Sequence, residues 1–462
     1  MLSVVVMGLG FVGAAMTTAI ASVRKPDGSP MYNVVGLELP TKSGKSRAGS
    51  INKGIFPFSC GDPDLASALA KSYDMGNVSA TTNEAVLSQA AIIIVDIHLD
   101  VHIEADVPKV NLNGFCNAIE TIGRHVSEDT LIVIETTVPP GTSEHVVAPL
   151  LQTVLAKREM NLKSILLAHS YERVMPGPMY LDSIINNWRV YSGLNEPSMD
   201  RCQEFLSTII NTERFPLSRL SSMTASETAK ALENTYRAVN IALIDEWATF
   251  AENAGVDLFE VIEAIRLRPS HKNLMRPGLG VGGYCLTKDL FLGEIAAQQY
   301  LPELQMKFEM ANLASTINQN MPLRNFQRIK EHLGGNLKAK RLLLLGVSYR
   351  SEVADTRYSA VEQLYKQMIA DGAFLELHDP FVKWWEEIDR KVLNDLPRNK
   401  KFDALIFCVP HKKYNEIDLI TWLGSSRPLI FDCDHVLTSE TVEKLRSKNF
   451  VVASTGIGSF KI

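Results

Sequence analysis

Val4-Val5-Val6-Met7-Gly8-Leu9-Gly10-Phe11-Val12-Gly13 stands almost at the start of the chain, and Ala14-Ala15-Met16-Thr17-Thr18-Ala19-Ile20-Ala21 follows it. A β-branched run, a G-x-G-x-x-G turn and a helix-forming stretch, in that order, predict a strand–turn–helix unit. The glycines permit a tight turn and let a pyrophosphate approach the backbone closely. The helix start adds amide donors and partial positive charge. The next strand-like run, Val34-Val35-Gly36-Leu37, ends in Glu38. A carboxylate there accepts from both adenosine ribose hydroxyls and repels a 2′-phosphate, which selects NAD over NADP. Gly8, Gly10, Phe11, Val12, Gly13 and Glu38 are therefore the first candidate cofactor contacts. Glu38 follows Gly13 by 38 − 13 = 25 positions, and Arg24-Lys25-Pro26-Asp27-Gly28-Ser29-Pro30 reads as the inserted loop that lengthens this spacing. Gly44-Lys45-Ser46 resembles the end of a phosphate loop, but Leu39 stands where that loop needs glycine, so it reads as a solvated basic loop.

Outward from this unit, apolar runs at 2–7, 34–37, 91–95, 131–134 and 165–167 alternate with helical patterns, as βαβ units with a parallel sheet require. Residues 221–254 contain no proline and lead to Gly255, which predicts one long helix capped near Ser221 or Ser222. Helical character continues over 258–268 and again over 303–332. Strand runs resume at 342–345, 374–378, 404–409, 429–431 and 450–454. The expected fold is α/β: two Rossmann-like parallel-sheet domains joined by a helical central domain with a long helix. The expected boundaries are 1–205 for dinucleotide binding, 206–325 for the helical and dimerisation domain, and 326–462 for a nucleotide-sugar-binding domain.

Composition narrows the function. With 462 residues, 46% hydrophobic and 21% charged, the chain has the make-up of a globular protein. Its net charge of 47 − 52 = −5 argues against nucleic acid as a partner. No apolar run reaches the ~18–20 residues of a membrane span. The six cysteines are scattered with no Cys-x-x-Cys pair. Reduced thiols and no secretory signal make a cytoplasmic protein the expectation.

Gly280-Val281-Gly282-Gly283-Tyr284-Cys285-Leu286-Thr287-Lys288-Asp289 places a thiol after a glycine loop. Backbone amides there can hold a ligand beside the sulfur, and Lys288 and Asp289 can tune its ionisation and position a water. Lys230 and Asn234 stand at i and i+4 on the long helix. An ammonium and a carboxamide on one face can stabilise an oxyanion.

These segments resemble the UDP-glucose/GDP-mannose dehydrogenases, NAD-dependent nucleotide-sugar 6-dehydrogenases. The likeness runs through GLGFVG (8–13), INKGIFPF (51–58), ETTVPPGT (135–142), YERVMPG (171–177), KALENTYRAVNIALIDE (230–246), GVGGYCLTKD (280–289), LLLLGVSYRSEVADTRYS (342–359) and ELHDP (376–380). It implies two successive hydride transfers to NAD from the C6 carbon of a nucleotide sugar, through a thiohemiacetal and a thioester on Cys285. It assigns Lys230 and Asn234 to oxygen charge, Asp289 with Thr137 to the catalytic water, and Glu172 to thioester hydrolysis. It places Thr137 and Lys288 with the cofactor. Substrate contacts are expected from Glu172, Arg173, Lys230, Asn234, Gly282, Gly283 and Arg350. Arg268 is expected at the substrate of a neighbouring subunit in a homodimer or dimer of dimers. The YERVMPG and YRAVNIAL segments lean toward a UDP-N-acetylhexosamine as substrate, with UDP-glucose second, and toward a role in polysaccharide biosynthesis.

The chain departs from the family pattern in three places. Asp96-Ile97-His98 replaces the usual Pro-Thr-Pro turn after the third strand of that pattern. Tyr171 replaces a proline before the Glu-Arg pair. Asp432-Cys433-Asp434 replaces an Asp-Gly-Arg type sequence. The first departure creates an alternation of Asp96, His98, Asp100, His102 and Glu104 that could hold a transition metal on one extended face. Since the family chemistry needs no metal, the alternation is read as a solvated loop and no metal site is expected. Two other classes remain open at this point: a single-step 3-hydroxyacid dehydrogenase, which needs neither the Cys285 loop nor a second α/β domain, and a non-catalytic NAD- or nucleotide-sugar-binding protein.

Overall fold

The computed structural model describes residues 1–58, 61–104, 107–397 and 401–458. Cys60 lies outside them, and the other five cysteines are reduced. The chain forms two compact units, Met1–Glu233 with Phe291–Lys307, and Asn234–Leu290 with Phe308–Ile462.

The first unit is built on an eight-stranded sheet. Its strands are β1 (Leu2–Met7), β2 (Tyr32–Leu37), β3 (Val78–Thr81) and β4 (Ile92–Val95), then, after a separate hairpin of β5 (Val101–Glu104) and β6 (Val107–Val110), β7 (Leu131–Ile134), β8 (Leu166–His169), β9 (Val190–Gly193) and β10 (Ser218–Arg219). Their order is β10-β9-β8-β7-β4-β1-β2-β3. Pairings from β3 through β8 are parallel, and β9 runs antiparallel to β8. Val4 and Val6 enter one core with Ala14 and Met16, whereas Val5 enters another with Ile93 and Ile132. Both faces are therefore covered, which is why these strands read as continuous apolar runs. The carboxyl ends of β4, β7 and β8 and the start of β9 consequently share one edge. The order reverses between β1 and β4, and ligands of such sheets bind at that switch point.

The second unit carries the parallel sheet β12-β11-β15-β16-β17, with β11 (Arg341–Leu345), β12 (Phe374–His378), β15 (Ala404–Phe407), β16 (Leu429–Asp432) and β17 (Val452–Ser454); β13 (Trp384–Trp385) and β14 (Arg390–Lys391) form a small hairpin of their own. The long helix Met223–Ala254 begins in the first unit and ends in the second. Ser222 Oγ caps it by accepting from Ala225 N–H at 3.1 Å, and Gly255, at φ +74°, ends it. Within the second unit Arg324 reaches both Asp245 and Glu252, and Arg328 lies 2.8 Å from Glu252.

Three expectations are corrected. The helix expected from 303 starts at Glu309, because Pro302–Leu304 closes a short turn and Gln305 sits at φ +45°. Gly44-Lys45-Ser46 is not a loop. It lies in the helix α2 (Lys42–Ile51), nucleated by Thr41, whose Oγ1 accepts from Gly44 N–H at 3.0 Å. The acid–histidine alternation does not line one extended face. Asp96 directly follows β4, while His102 and Glu104 belong to the separate β5–β6 hairpin. There His102 pairs with Glu104 at 3.2 Å, and His98 pairs with Asp100 at 2.9 Å. Among the described residues no group of three or more His, Cys, Asp or Glu is placed to hold a metal.

Candidate active site

In the first unit, the turn at 8–13 joins β1 to the helix α1 (Phe11–Ala21). Gly8 takes φ +99°, and a Cβ there would lie 2.2 Å from the Asp96 carbonyl oxygen. A Cβ at Gly13 would lie 1.9 Å from the Gly8 carbonyl oxygen, so backbone packs on backbone at both positions. Gly10, the cap residue, has open space on its Cβ side and no side-chain cap, which leaves the first helix amides for an outside acceptor. Glu38 faces the same turn: its Oε2 accepts from Leu9 N–H at 3.1 Å, its Oε1 from Leu39 N–H at 2.9 Å, and Arg47 stands 3.5 Å away. Phe11 stacks on Phe58 with ring centroids 4.0 Å apart, and Val12 packs against the sheet core. Uncapped amides, an open glycine and a carboxylate at the end of β2 fit the diphosphate and ribose of NAD. Gly13→Ala forces the turn open. Overpacking of this kind costs about 1–3 kcal/mol, so NAD binding, read by titration calorimetry, is expected to weaken by roughly tenfold or more.

The other candidates of this unit gather at the shared strand edge. Thr137 follows β7, half-buried. Its loop is fixed by Glu227 of the long helix, whose carboxylate accepts from Gly141 N–H at 2.6 Å and Ser143 N–H at 2.9 Å. Burial pushes the Glu227 carboxyl up to about 7, against those donors. Glu172 and Lys230 are both buried. Lys230 Nζ donates to the Glu172 carbonyl at 2.8 Å and lies 3.8 Å from its carboxylate. Lys230 also sits 5.3 Å from the centre of the Tyr171 ring. Tyr171 OH donates to Glu233 at 3.2 Å and accepts from Arg173 at 3.0 Å. Arg173 holds Glu233 through both its Nε and Nη2 atoms. The residue that replaces a proline is thus built into the support of Arg173. Beside them His169 is buried and neutral, its pKa lowered to about 3 by burial and by Lys230.

In the second unit, Asp289 is wholly buried and is held from two sides: Asn234 Nδ2 donates to one oxygen at 2.7 Å and Lys288 Nζ to the other at 2.7 Å. Lys288 also lies 4.7 Å from the centre of the Tyr284 ring. The amides of Lys288 and Asp289 both donate to the Cys285 carbonyl, at 3.2 and 2.9 Å, and Cys285 itself is exposed. This turn ties the thiol rigidly to the carboxylate. Gly282 and Gly283 thread against Tyr349 and Tyr358: a Cβ at Gly283, φ +81°, would meet the Tyr349 ring at 2.7 Å. Arg350 follows Tyr349 and feels both burial and the like charge of Arg237 on the long helix, which lower its pKa. Arg268 is exposed, just beyond the helix Leu258–Arg266.

The structure therefore brings Glu172 and Lys230 together in one unit, and Asn234, Lys288, Asp289 and Cys285 in the other. Lys230 and Asn234 lie one turn apart on the helix common to both. Sequence reasoning missed the supports. Glu227 and Glu233 flank Lys230 at i−3 and i+3, a spacing that could have marked them. Asp379 accepts from the amides of Val347 and Ser348, at 2.9 and 3.2 Å, and so anchors the loop that carries Arg350. Asp379 stands in the ELHDP segment (376–380), but its neighbours in sequence do not show which loop it holds.

Three family descriptions match the chain: the NAD binding domain of the UDP-glucose/GDP-mannose dehydrogenase family over residues 2–210, its central domain over 224–320, and its UDP binding domain over 343–439. The chain is 27% identical over 456 residues to a UDP-N-acetyl-D-mannosamine dehydrogenase of Methanocaldococcus jannaschii, covering 97% of this chain and 95% of that one. It is 25% identical over 450 residues to a UDP-N-acetyl-D-glucosamine 6-dehydrogenase of Pseudomonas aeruginosa, covering 95% and 98%. Its fold matches the solved structure of a UDP-D-ManNAc dehydrogenase from Pyrococcus horikoshii with a TM-score of 0.81 at 24% identity, over 98% and 99% of the two chains.

Proposed function

Since the chain belongs to the UDP-glucose/GDP-mannose dehydrogenase family and is an NAD-dependent nucleotide-sugar dehydrogenase, we propose that it oxidises the C6 hydroxyl of a UDP-N-acetylhexosamine to the carboxylate, with Cys285 as the covalent carrier. The observation that carries this reading is the turn that fixes an exposed Cys285 to the buried Asp289, itself held by Asn234 and Lys288. The substrate class rests on the UDP-N-acetylhexosamine dehydrogenases to which the chain is similar along its length.

The 8–13 turn and Glu38 would hold NAD, which when bound would supply the hydride acceptor for each of two oxidations. The residues do the rest. Loss of hydride from C6 and of a proton from O6 gives an aldehyde, and Lys230 and Asn234 stabilise the oxygen as charge develops. The Cys285 sulfur adds to the carbonyl carbon and a proton returns to oxygen. Loss of a second hydride and proton from this thiohemiacetal leaves a thioester. Asp289 and Thr137 hold a water for attack, Glu172 takes its proton, and the C–S bond breaks to release acid and thiol. Arg173, Gly282, Gly283 and Arg350 serve the substrate, with Lys288 near the cofactor. In this reading the chain divides near 205 and 325 into cofactor-binding, central helical and nucleotide-sugar-binding domains.

The long helix leaves Leu232, Tyr236, Leu243, Trp247 and Phe250 exposed. Such an apolar stripe marks an interaction surface, and we assign it to a homodimer in which Arg268 reaches the neighbouring active site. Trp247→Glu is expected to convert dimer to monomer in light scattering; an unchanged mass rules this face out. No helix of the described residues is long and apolar enough to cross a membrane, which is compatible with a cytoplasmic enzyme. The substrate is tested by offering UDP-N-acetylhexosamines, UDP-glucose and GDP-mannose with NAD and measuring NADH. Turnover with UDP-N-acetylmannosamine or its epimers supports the reading, and turnover with UDP-glucose alone overturns it.

A further inference from the structure

Five ionisable groups of the first unit meet at the shared strand edge. Asp96 directly follows β4 and Glu135 directly follows β7. Glu172 follows β8, Arg189 precedes β9, and Lys230 comes from the long helix. Arg189 and Glu135 form an ion pair that is almost fully buried. Lys230 lies 3.8 Å from the Glu172 carboxylate. Three carboxyl groups therefore share two cations, Arg189 and Lys230, and 3 − 2 leaves one carboxyl in excess. The cations are already engaged by Glu135 and Glu172, so Asp96, which only shares their charge, is the carboxyl we take to hold the excess proton. Its Oδ2 is sealed from solvent and has no hydrogen-bond partner among the described residues. Its backbone cannot carry it elsewhere: Asp96 N–H donates to the Met7 carbonyl at 2.8 Å, and Ile97 N–H to Thr136 Oγ1 at 2.8 Å. Its carbonyl and Cβ lie directly behind Gly8 and Gly13 of the dinucleotide turn. A carboxyl with one oxygen sealed from water and unpartnered, beside a second carboxylate, favours its protonated form.

We infer that Asp96 is a positioning residue that holds the one excess proton of this buried cluster, and that losing this proton sets the alkaline limit of the oxidation. The inference rests on the role given above to Lys230 and Glu172. While Asp96 is neutral, it adds no negative charge beside Lys230, whose positive field stays available to the substrate oxygen. When Asp96 ionises, a further negative charge offsets that field. Burial first, then Glu172, pushes the Asp96 carboxyl up to about 8, while Arg189 and Lys230 pull it down. His169 is neutral and adds no charge. Arg173 and Glu233, next along, neutralise each other at 2.8 Å.

Asp96→Asn keeps the shape of the neutral acid and removes the titration. Two measurements on the whole enzyme separate this inference from the reading it rests on. The first is the denaturant midpoint between pH 4 and 9, which needs no catalysis. The folded carboxyl binds its proton more tightly than the unfolded one, so its contribution falls as pH rises from about 4 to about 8. The wild-type midpoint is expected to drop relative to Asp96→Asn across that window, and the variant should be the more stable protein at pH 8. Parallel curves, or a variant that fails to fold, overturn the proton assignment. The second is kcat against pH. An alkaline decline present in wild type and absent from Asp96→Asn is expected; the same decline in both proteins overturns the link to the reaction.

Discussion

Cys285→Ala binds the nucleotide sugar and forms no uronic acid. The sulfur performs two tasks that alanine cannot replace: it captures the aldehyde, and it departs from the acyl group when water attacks. Acid formation is expected to fall by roughly 10³-fold or more, the order seen when a covalent nucleophile is deleted. Retained binding of the nucleotide sugar distinguishes this from a loss of folding. The variant should still bind UDP-sugar, since the glycine loop beside it is fixed through Tyr349 and Tyr358 rather than through the thiol. Undiminished uronate from this variant would end the covalent scheme and leave two direct oxidations.

The second large effect is expected at Lys230. Its ammonium is buried, bonded to the Glu172 carbonyl at 2.8 Å, and close to that residue's carboxylate. A fixed cation in such a setting stabilises oxygen charge without having to reorganise. Removing one such donor costs about 10²–10³ in rate. Lys230→Met should therefore lose that factor in kcat, with KM for the sugar changed far less. A loss confined to KM, with kcat intact, would make Lys230 a substrate clamp with no part in the chemical step. Lys230→Arg is the companion variant. It keeps the charge but replaces a compact ammonium with a planar fork, so partial rescue is expected from charge and the remaining deficit from geometry.

The fold was legible because its signals are local. A β-branched run before G-x-G-x-x-G, and a proline-free stretch ending at Gly255, depend on neighbours within a few residues. β1, β7 and β12 follow their apolar runs to the residue. Misreadings arose where one residue decides between states. Thr41 turns Gly44-Lys45-Ser46 into helix through a single cap, and Pro302 with Gln305 delays the helix that begins at Glu309. Of the site, the motif residues could be named because each sits inside a short pattern. What holds them could not, because it is assembled across distance: Glu227 on the loop 139 to 143, Glu233 on Arg173, Asp379 under the loop of Arg350. Asp96 shows the limit most clearly. The sequence displays it as one member of an acid–histidine alternation. Its surroundings, two ion pairs drawn from four other segments, exist only once the sheet has formed.

The most direct test of the covalent scheme is a mass measurement on the thiol. Glu172→Gln should slow release of the acyl group, because hydrolysis then lacks its proton acceptor. The variant is incubated with the preferred UDP-sugar and excess NAD, quenched in acid and digested, and the peptide containing Cys285 is weighed. The account predicts an added mass equal to the nucleotide sugar less four hydrogens, three lost from the sugar and one from the thiol, which is the acyl group on sulfur. An unmodified Cys285 peptide alongside accumulated NADH and free uronate would contradict it.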